Sequence, residues 1–297
     1  MLLKLSQCIL CLLAVGLLLS SCQKESGNLE TAEKAVVTDS TYSADSAMIH
    51  YDVRGSGDRA LVFVHCWCCD RTYWEAQVDE FADRYKVVTI DLAGHGSSGL
   101  NRDEWTMEAY GEDVAAVVKG LKLEEVILIG HSMGGRVIVE AARRLPGKVA
   151  ALVGVDTYQS LTAEYGQEAI DGFLQPFRDD FKSYTEEYVQ HIFAPEADSS
   201  LIEWVSEDMA QAPAEIGIES MESILKYDYR PALSEMRIPI LSISGDLNET
   251  DIEGNRSVTD LFRVKVIPAT GHFPHMERPA EFNRLLQETI DEFWPEE

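Results

Sequence analysis

The stretch Val126-Ile127-Leu128-Ile129-Gly130-His131-Ser132-Met133-Gly134-Gly135 constrains the fold more than any other. Its four leading apolar residues, mostly β-branched, read as a strand buried on both faces, which belongs in a mainly parallel sheet. Gly130-x-Ser132-x-Gly134 then turns that strand sharply into a helix opening at Met133. A serine on so tight a turn is held in strained backbone with its Oγ exposed, and bulky residues two positions to either side would strike neighbouring backbone.

The rest of the chain supplies the sheet that such a turn requires. Met48 to Val53 alternates and leads into Gly55-Ser56-Gly57, which reads as an early hairpin turn; Ala60 to Val64 is fully apolar. Trp74 to Tyr85 has helical spacing and Val87 to Ile90 is the next strand, closed by the glycine-punctuated loop Asp91-Leu92-Ala93-Gly94-His95-Gly96-Ser97-Ser98. Met107 to Leu121 is a helix feeding the strand before Ser132, Gly134 to Leu145 the helix after it, and Ala150 to Val155 the sixth strand. Ile238 to Gly245, Arg263 to Ile267 and a closing helix from Pro279 to Phe293 complete a mainly parallel, doubly wound α/β sheet. Residues 47–156 and 237–297 therefore form the core. The intervening 157–236 is helical, rich in aromatics and acids and without a strand, so it reads as a cap inserted after strand 6. Most of its aromatics (Tyr158, Tyr165, Phe173, Phe177, Phe181, Tyr184, Tyr188, Phe193) are expected to form the cap's own core.

The amino terminus carries a separate message. Lys4 precedes the apolar run Ile9 to Leu19, too short to span a bilayer as a mature helix, so residues 1–21 read as a cleaved export signal. Leu19-Ser20-Ser21-Cys22 resembles the lipobox of bacterial lipoproteins, which implies lipid on Cys22 and a membrane-anchored protein of a bacterial cell envelope. Residues 22–46 are polar and aperiodic and read as a flexible tether. With 51 acidic against 25 basic residues the net charge is −26. That excess argues against nucleic acid as a partner and against membrane contact beyond the lipid anchor; oligomeric state is left open. Past Cys22 only Cys66, Cys68 and Cys69 remain. They define neither a disulfide framework nor a zinc site and are expected to pack.

A serine hydroxyl is a poor nucleophile at neutral pH, so Ser132 needs a base within reach and a group to orient that base. His272, in the loop after the last strand, is favoured over His275, which is already turning into the final helix. His65, His95 and His131 flank turns and are expected to hold loops by hydrogen bonds, while His50 and His191 have no informative context.

Four motifs in order, His65-x-Trp67, Asp91-x-x-Gly94-His95-Gly96-x-Ser98, Gly130-His131-Ser132-Met133-Gly134-Gly135 and Gly271-His272-Phe273-Pro274-His275-x-Glu277-x-Pro279, resemble the α/β-hydrolase fold superfamily over roughly residues 47–294. The resemblance implies Ser132 as nucleophile, His272 as base, and backbone N–H groups of Met133 and Trp67 as oxyanion hole, with no cofactor and no metal. Cys66 stands where relatives commonly have glycine. In many relatives the acid lies in a Gly-Asp-x-Asp turn after the seventh strand, but here that turn reads Gly245-Asp246-Leu247-Asn248. Other members place it after the sixth strand, where this chain has Asp156; Asp246 and Asp251 are alternatives, as is a serine–histidine dyad oriented by Asn248. Serine at position 132 argues against relatives with an aspartate nucleophile. The expected activity is hydrolysis of an ester-type bond, carboxylic ester or lactone, of a small apolar molecule through an acyl-enzyme. The competing reading is a hydrolase-like binding or receptor protein with little turnover.

Overall fold

The computed structural model describes residues 36–295, so the export signal, Cys22 and the first part of the expected tether lie outside the described residues. Among the described residues eight strands form one sheet in the order β1-β2-β4-β3-β5-β6-β7-β8. They are β1 (Val37–Tyr42), β2 (Met48–Arg54), β3 (Arg59–Val64), β4 (Lys86–Ile90), β5 (Glu125–His131), β6 (Val149–Val155), β7 (Ile240–Ser244) and β8 (Phe262–Val266). From β4 to β8 every neighbouring pair is parallel, whereas β2 is antiparallel to both β1 and β4.

The central strands are apolar on both faces because both faces are covered. Leu61, Phe63, Ile127, Ile129, Val153 and Val155 point to one side. There they pack with Trp74 and Phe81 and with Phe282, Leu286 and Ile290 of the closing helix α11 (Pro279–Phe293). Their alternates Val62, Val64, Val126, Leu128 and Leu152 face the other layer. That layer is built from α2 (Met107–Gly120) and α3 (Met133–Arg143). The period-2 alternation thus sorts one continuous apolar run into two cores.

Three expectations are corrected here. The tether does not run to residue 46, because β1 lies within it and pairs with β2 from Val37↔Val53 to Tyr42↔Met48. β1 is a largely exposed edge strand, so its place in the sheet rests on backbone ladder bonds and leaves no apolar alternation to read. Nor does Gly55-Ser56-Gly57 close a hairpin: β4 lies between β2 and β3, so the turn begins a crossover. The helix expected from Trp74 also shortens, to a single 3-10 turn at Arg71–Trp74 followed by α1 (Glu75–Phe81).

Between β6 and β7 the chain forms α4 (Gln167–Asp179), α5 (Phe181–His191), α6 (Ser199–Met209), α7 (Ala214–Lys226) and α8 (Tyr229–Ser234). Phe177 is the hub of this layer, with the rings of Phe173, Phe181, Tyr184, Tyr188 and Trp67 around it at 4.6 to 6.3 Å. Trp67 belongs to the loop after β3, and its Nε1–H donates to the Gly217 carbonyl of α7 at 2.7 Å. The same indole therefore ties these helices to the sheet. After β7, α9 (Ile252–Val258) leads into β8, and the short α10 (Pro274–Glu277) precedes α11.

Candidate active site

Ser132 sits between β5 and α3 with φ 51° and ψ −110°, in a region L-residues rarely adopt. Such a conformation costs about 1–3 kcal/mol and persists because its surroundings enforce it. The Ser132 N–H donates to Val155 O at 3.0 Å, and its carbonyl accepts from Gly135 N–H at 3.0 Å and Thr157 Oγ1 at 2.5 Å. The flanking glycines are needed for close approach: a Cβ on Gly130 would lie 2.2 Å from Gly134 O, and one on Gly134 2.5 Å from Val64 O. Met133 opens α3, so its N–H has no acceptor within the helix.

Asp156 follows β6 and is buried, also with positive φ, at 44°. Its Oδ1 accepts from Gly245 N–H at 3.1 Å and its Oδ2 lies 2.7 Å from His272 Nδ1. A carboxylate only accepts, so the proton sits on Nδ1 and Nε2 is left free to take another. The His272 backbone is fixed from three sides. Its N–H donates to Ile192 O at 2.7 Å, its carbonyl accepts from His131 Nε2 at 2.7 Å, and the Glu277 carboxylate receives the flanking Gly271 and Phe273 N–H groups. Burial drives the His131 pKa well down, so this imidazole stays neutral and donates.

The other candidates fall elsewhere. Asp246 is exposed and accepts from Ala269 N–H at 3.0 Å and Thr270 N–H at 3.3 Å, which holds its carboxyl below the usual range. It braces the loop ahead of His272 without touching the imidazole. Asp251 caps α9 by accepting from Gly254 N–H at 2.9 Å, and Asn248 is exposed. His275 is buried with both ring nitrogens unpartnered, 4.5 Å from the Trp74 ring and 4.7 Å from His131. Burial pushes its pKa down to about 3.

His65 bridges two loops: Nδ1–H donates to Cys66 O at 2.7 Å and Nε2 accepts from Leu92 N–H at 3.0 Å. His95 binds Ala93 O at 3.0 Å. Both are pushed acidic by burial, to about 4 and about 3.

The expectation of three packing thiols needs correction. Cys66 and Cys69 form a disulfide across a turn closed by Cys69 N–H to Cys66 O at 3.3 Å, which leaves Cys68, of these three, as a free, buried thiol. A spacing of three residues in a tight turn brings the two Cα atoms to 5.4 Å, within disulfide range. Cys66 therefore has no thiolate to offer as a nucleophile.

Ser132, Asp156 and His272 line one cavity of about 270 Å³ with Cys66, Trp67, Arg136 and Thr157. Its remaining wall is mainly apolar and includes Phe173 of α4, Tyr188 of α5, Met209 of α6 and Met221 of α7. Of the aromatics named from the sequence only Phe173 and Tyr188 reach this cavity; Tyr158, Phe177, Phe181 and Phe193 are buried and Tyr165 is exposed. The sequence assigns no role to Arg136, nor to Glu277 beyond its place in the Gly271–Pro279 motif. Glu277 carried a signal in its fixed spacing from Gly271-His272, whereas Arg136 looked like an ordinary helical arginine. Among the described residues no cluster of side chains suits a metal ion.

A wound parallel sheet with a serine turn after its fifth strand and an acid–histidine pair beyond the sixth and eighth is the architecture of an α/β hydrolase. The chain belongs to the alpha/beta hydrolase family, whose profile matches residues 61–285. It is 26% identical to a 3-oxoadipate enol-lactonase of Acinetobacter baylyi, over 85% of this chain and 97% of that protein. It is also 25% identical to a karrikin insensitive 2 receptor of Petunia hybrida, over 76% of this chain and 90% of the receptor. Among solved structures, an esterase from Thermogutta terrifontis superposes with a TM-score of 0.74 at 24% identity, covering 87% of this chain and 99% of that one. An esterase from Exiguobacterium antarcticum gives 0.77 at 20% identity, covering 86% and 100%.

Proposed function

We propose that this protein is a serine hydrolase that cleaves a carboxylic ester or lactone through an acyl-enzyme. The observation that carries the reading is the 2.7 Å contact between His272 Nδ1 and the buried Asp156 carboxylate, in the cavity that Ser132 lines. In this reading Ser132 Oγ attacks the carbonyl while His272 Nε2 takes its proton and returns it to the leaving oxygen. Asp156 holds the tautomer and stabilises the imidazolium that forms. Backbone N–H groups of Met133 and Trp67 bind the developing oxyanion. Water then enters with His272 as base and releases the acid and Ser132. All of these groups belong to the chain. Similarity to an enol-lactonase and to pimeloyl-[acyl-carrier protein] methyl ester esterases, the latter at 24% identity, supports ester-type bonds as the target.

The likeness to a karrikin receptor keeps a second reading in view, a ligand-binding protein with little turnover. A fluorophosphonate probe separates the two. The folded wild-type protein should be labelled and Ser132→Ala should not; unlabelled wild type would eliminate the hydrolase. The proposal extends to export: residues 1–21 are a signal, Cys22 carries lipid and the enzyme works at a bacterial cell envelope, supported by the Leu19-Ser20-Ser21-Cys22 pattern. Mass spectrometry of the amino-terminal peptide should find a lipidated Cys22, and an intact Met1 would refute it.

A further inference from the structure

The cavity beside Ser132 contains a cation that the proposed mechanism does not use. Arg136 lies one helical turn beyond Ser132 on α3 and lines the same cavity. Every other arginine among the described residues either pairs with a carboxylate or, like Arg256 and Arg278, stands exposed. Arg136 is half-buried and has no carboxylate partner among these residues. Its Nε is buried without a hydrogen bond, and Nη1 donates to Thr157 Oγ1 only at 3.5 Å. The guanidinium otherwise rests 5.3 Å over the Tyr229 ring.

An unpaired cation beside a low-dielectric wall is costly to keep. Among the described residues no acid forms an ion pair with this guanidinium, whose contacts are Thr157 and the Tyr229 ring. The one acid that lines the cavity, Asp156, is engaged by Gly245 and His272. Apart from Thr157 and Gln159, which are neutral, the remaining wall, including Phe173, Tyr188, Ile192 and Met221, is apolar. We infer that Arg136 receives a carboxylate carried by the substrate, so that the ester or lactone cleaved at Ser132 bears an acid group at the far end of a short apolar chain. The inference rests on Ser132 being the nucleophile. Ser132 and Arg136 are one helical turn apart, about 6 Å along the axis, and share one cavity, so a short chain links the two ends of the substrate.

A guanidinium matches a carboxylate in shape and charge, and such charge-assisted pairs are among the strongest hydrogen bonds. The net charge of −26 opposes an anionic substrate at a distance. At about 0.15 M salt, however, that field is screened beyond about 8 Å, whereas contact with Arg136 is not.

The test compares monomethyl glutarate and monomethyl adipate with methyl pentanoate and methyl hexanoate, in wild type, Arg136→Gln and Arg136→Lys. Wild type should favour the carboxylate esters about tenfold or more in kcat/KM, mainly through KM. Arg136→Gln should bring that ratio close to one, and Arg136→Lys should restore part of it. Equal or better turnover of the neutral esters by wild type overturns the inference, as does an Arg136→Gln defect of the same size on both series. Calorimetry with Ser132→Ala, which needs no turnover, reads the subsite directly. Glutarate or adipate should bind and the added Arg136→Gln change should abolish it; binding of inorganic phosphate but neither dicarboxylate would refute the carboxylate assignment. Failed fluorophosphonate labelling bears on the nucleophile alone, so the two ideas fail separately.

Discussion

The strand ends and the helices above them meet over one cavity but are held by different forces. Ser132, Asp156 and His272 sit on backbone pinned by directional bonds: Ser132 N–H to Val155, Asp156 to Gly245, and His272 to Ile192 and His131. The α4–α8 layer packs internally through aromatic edges around Phe177 and is tied to the rest of the chain at scattered points, among them Trp67 Nε1–H to Gly217 O and Tyr73 Oη–H to Asp208. Directional bonds can set the groups proposed to react to within fractions of an ångström, as proton transfer requires. Aromatic packing tolerates rearrangement, as a wall that shapes a substrate requires. The lower region should therefore govern rate, and the upper region affinity and stability.

The largest effect that tests this division lies at the base of the site. Asp156→Asn preserves shape but presents the wrong hydrogen-bonding partner to His272, and kcat on a short-chain ester should fall by about 10⁴-fold. Asp251→Asn, at a position that only caps α9, should stay within a few-fold of wild type, since asparagine caps as well as aspartate. Wild-type turnover by Asp156→Asn would remove Asp156 from the proposed triad.

The upper region should respond in the opposite way. Phe177→Ala empties the centre of the aromatic cluster and should cost about 3–5 kcal/mol in denaturant unfolding, with KM rising more than kcat falls. An effect confined to kcat would erase the contrast between the regions.

The effect that is smallest near neutral pH concerns acid stability. Buried neutral His275 has a folded pKa of about 3, below its unfolded value of about 6.5. Between those values the unfolded chain binds a proton that the folded chain refuses, so stability is lost as pH falls from about 6.5 toward 3. His275→Phe, in a site lined by Trp74 and Phe282, should reduce the slope of unfolding free energy against pH by about 1.4 kcal/mol per pH unit across that window. An unchanged slope would show that His275 is protonated in the folded protein.

The local code of this chain is strong where one short segment contains its own reason. Gly130 to Gly135 had to be a strand-to-helix turn because its glycines answer contacts of 2.2 and 2.5 Å made largely within that turn and with the adjoining strand end. The closing helix was legible at both ends, since proline at its first turn and a helical apolar stripe are local signals. β1 was illegible for the converse reason: an exposed edge strand is selected by its neighbour's unpaired backbone. The crossover at Gly55 shares its turn residues with a hairpin, and only the insertion of β4 distinguishes the two.

Sequence alone determined the fold class, the serine turn and the late glycine–histidine loop, because each rests on residues a few positions apart. Tertiary structure decided which carboxylate faces His272. Asp156, Asp246 and Asp251 all follow strands or open helices, and the difference between a 2.7 Å partner, a loop brace and a helix cap depends on where β6, β7 and β8 lie side by side. It also decided that Cys66 is tied to Cys69 and that Arg136 faces the cavity without an acid beside it. The physical reason is common to all three: charge pairing, thiol pairing and desolvation are properties of neighbours in space, and a linear pattern supplies candidates without saying which of them meet.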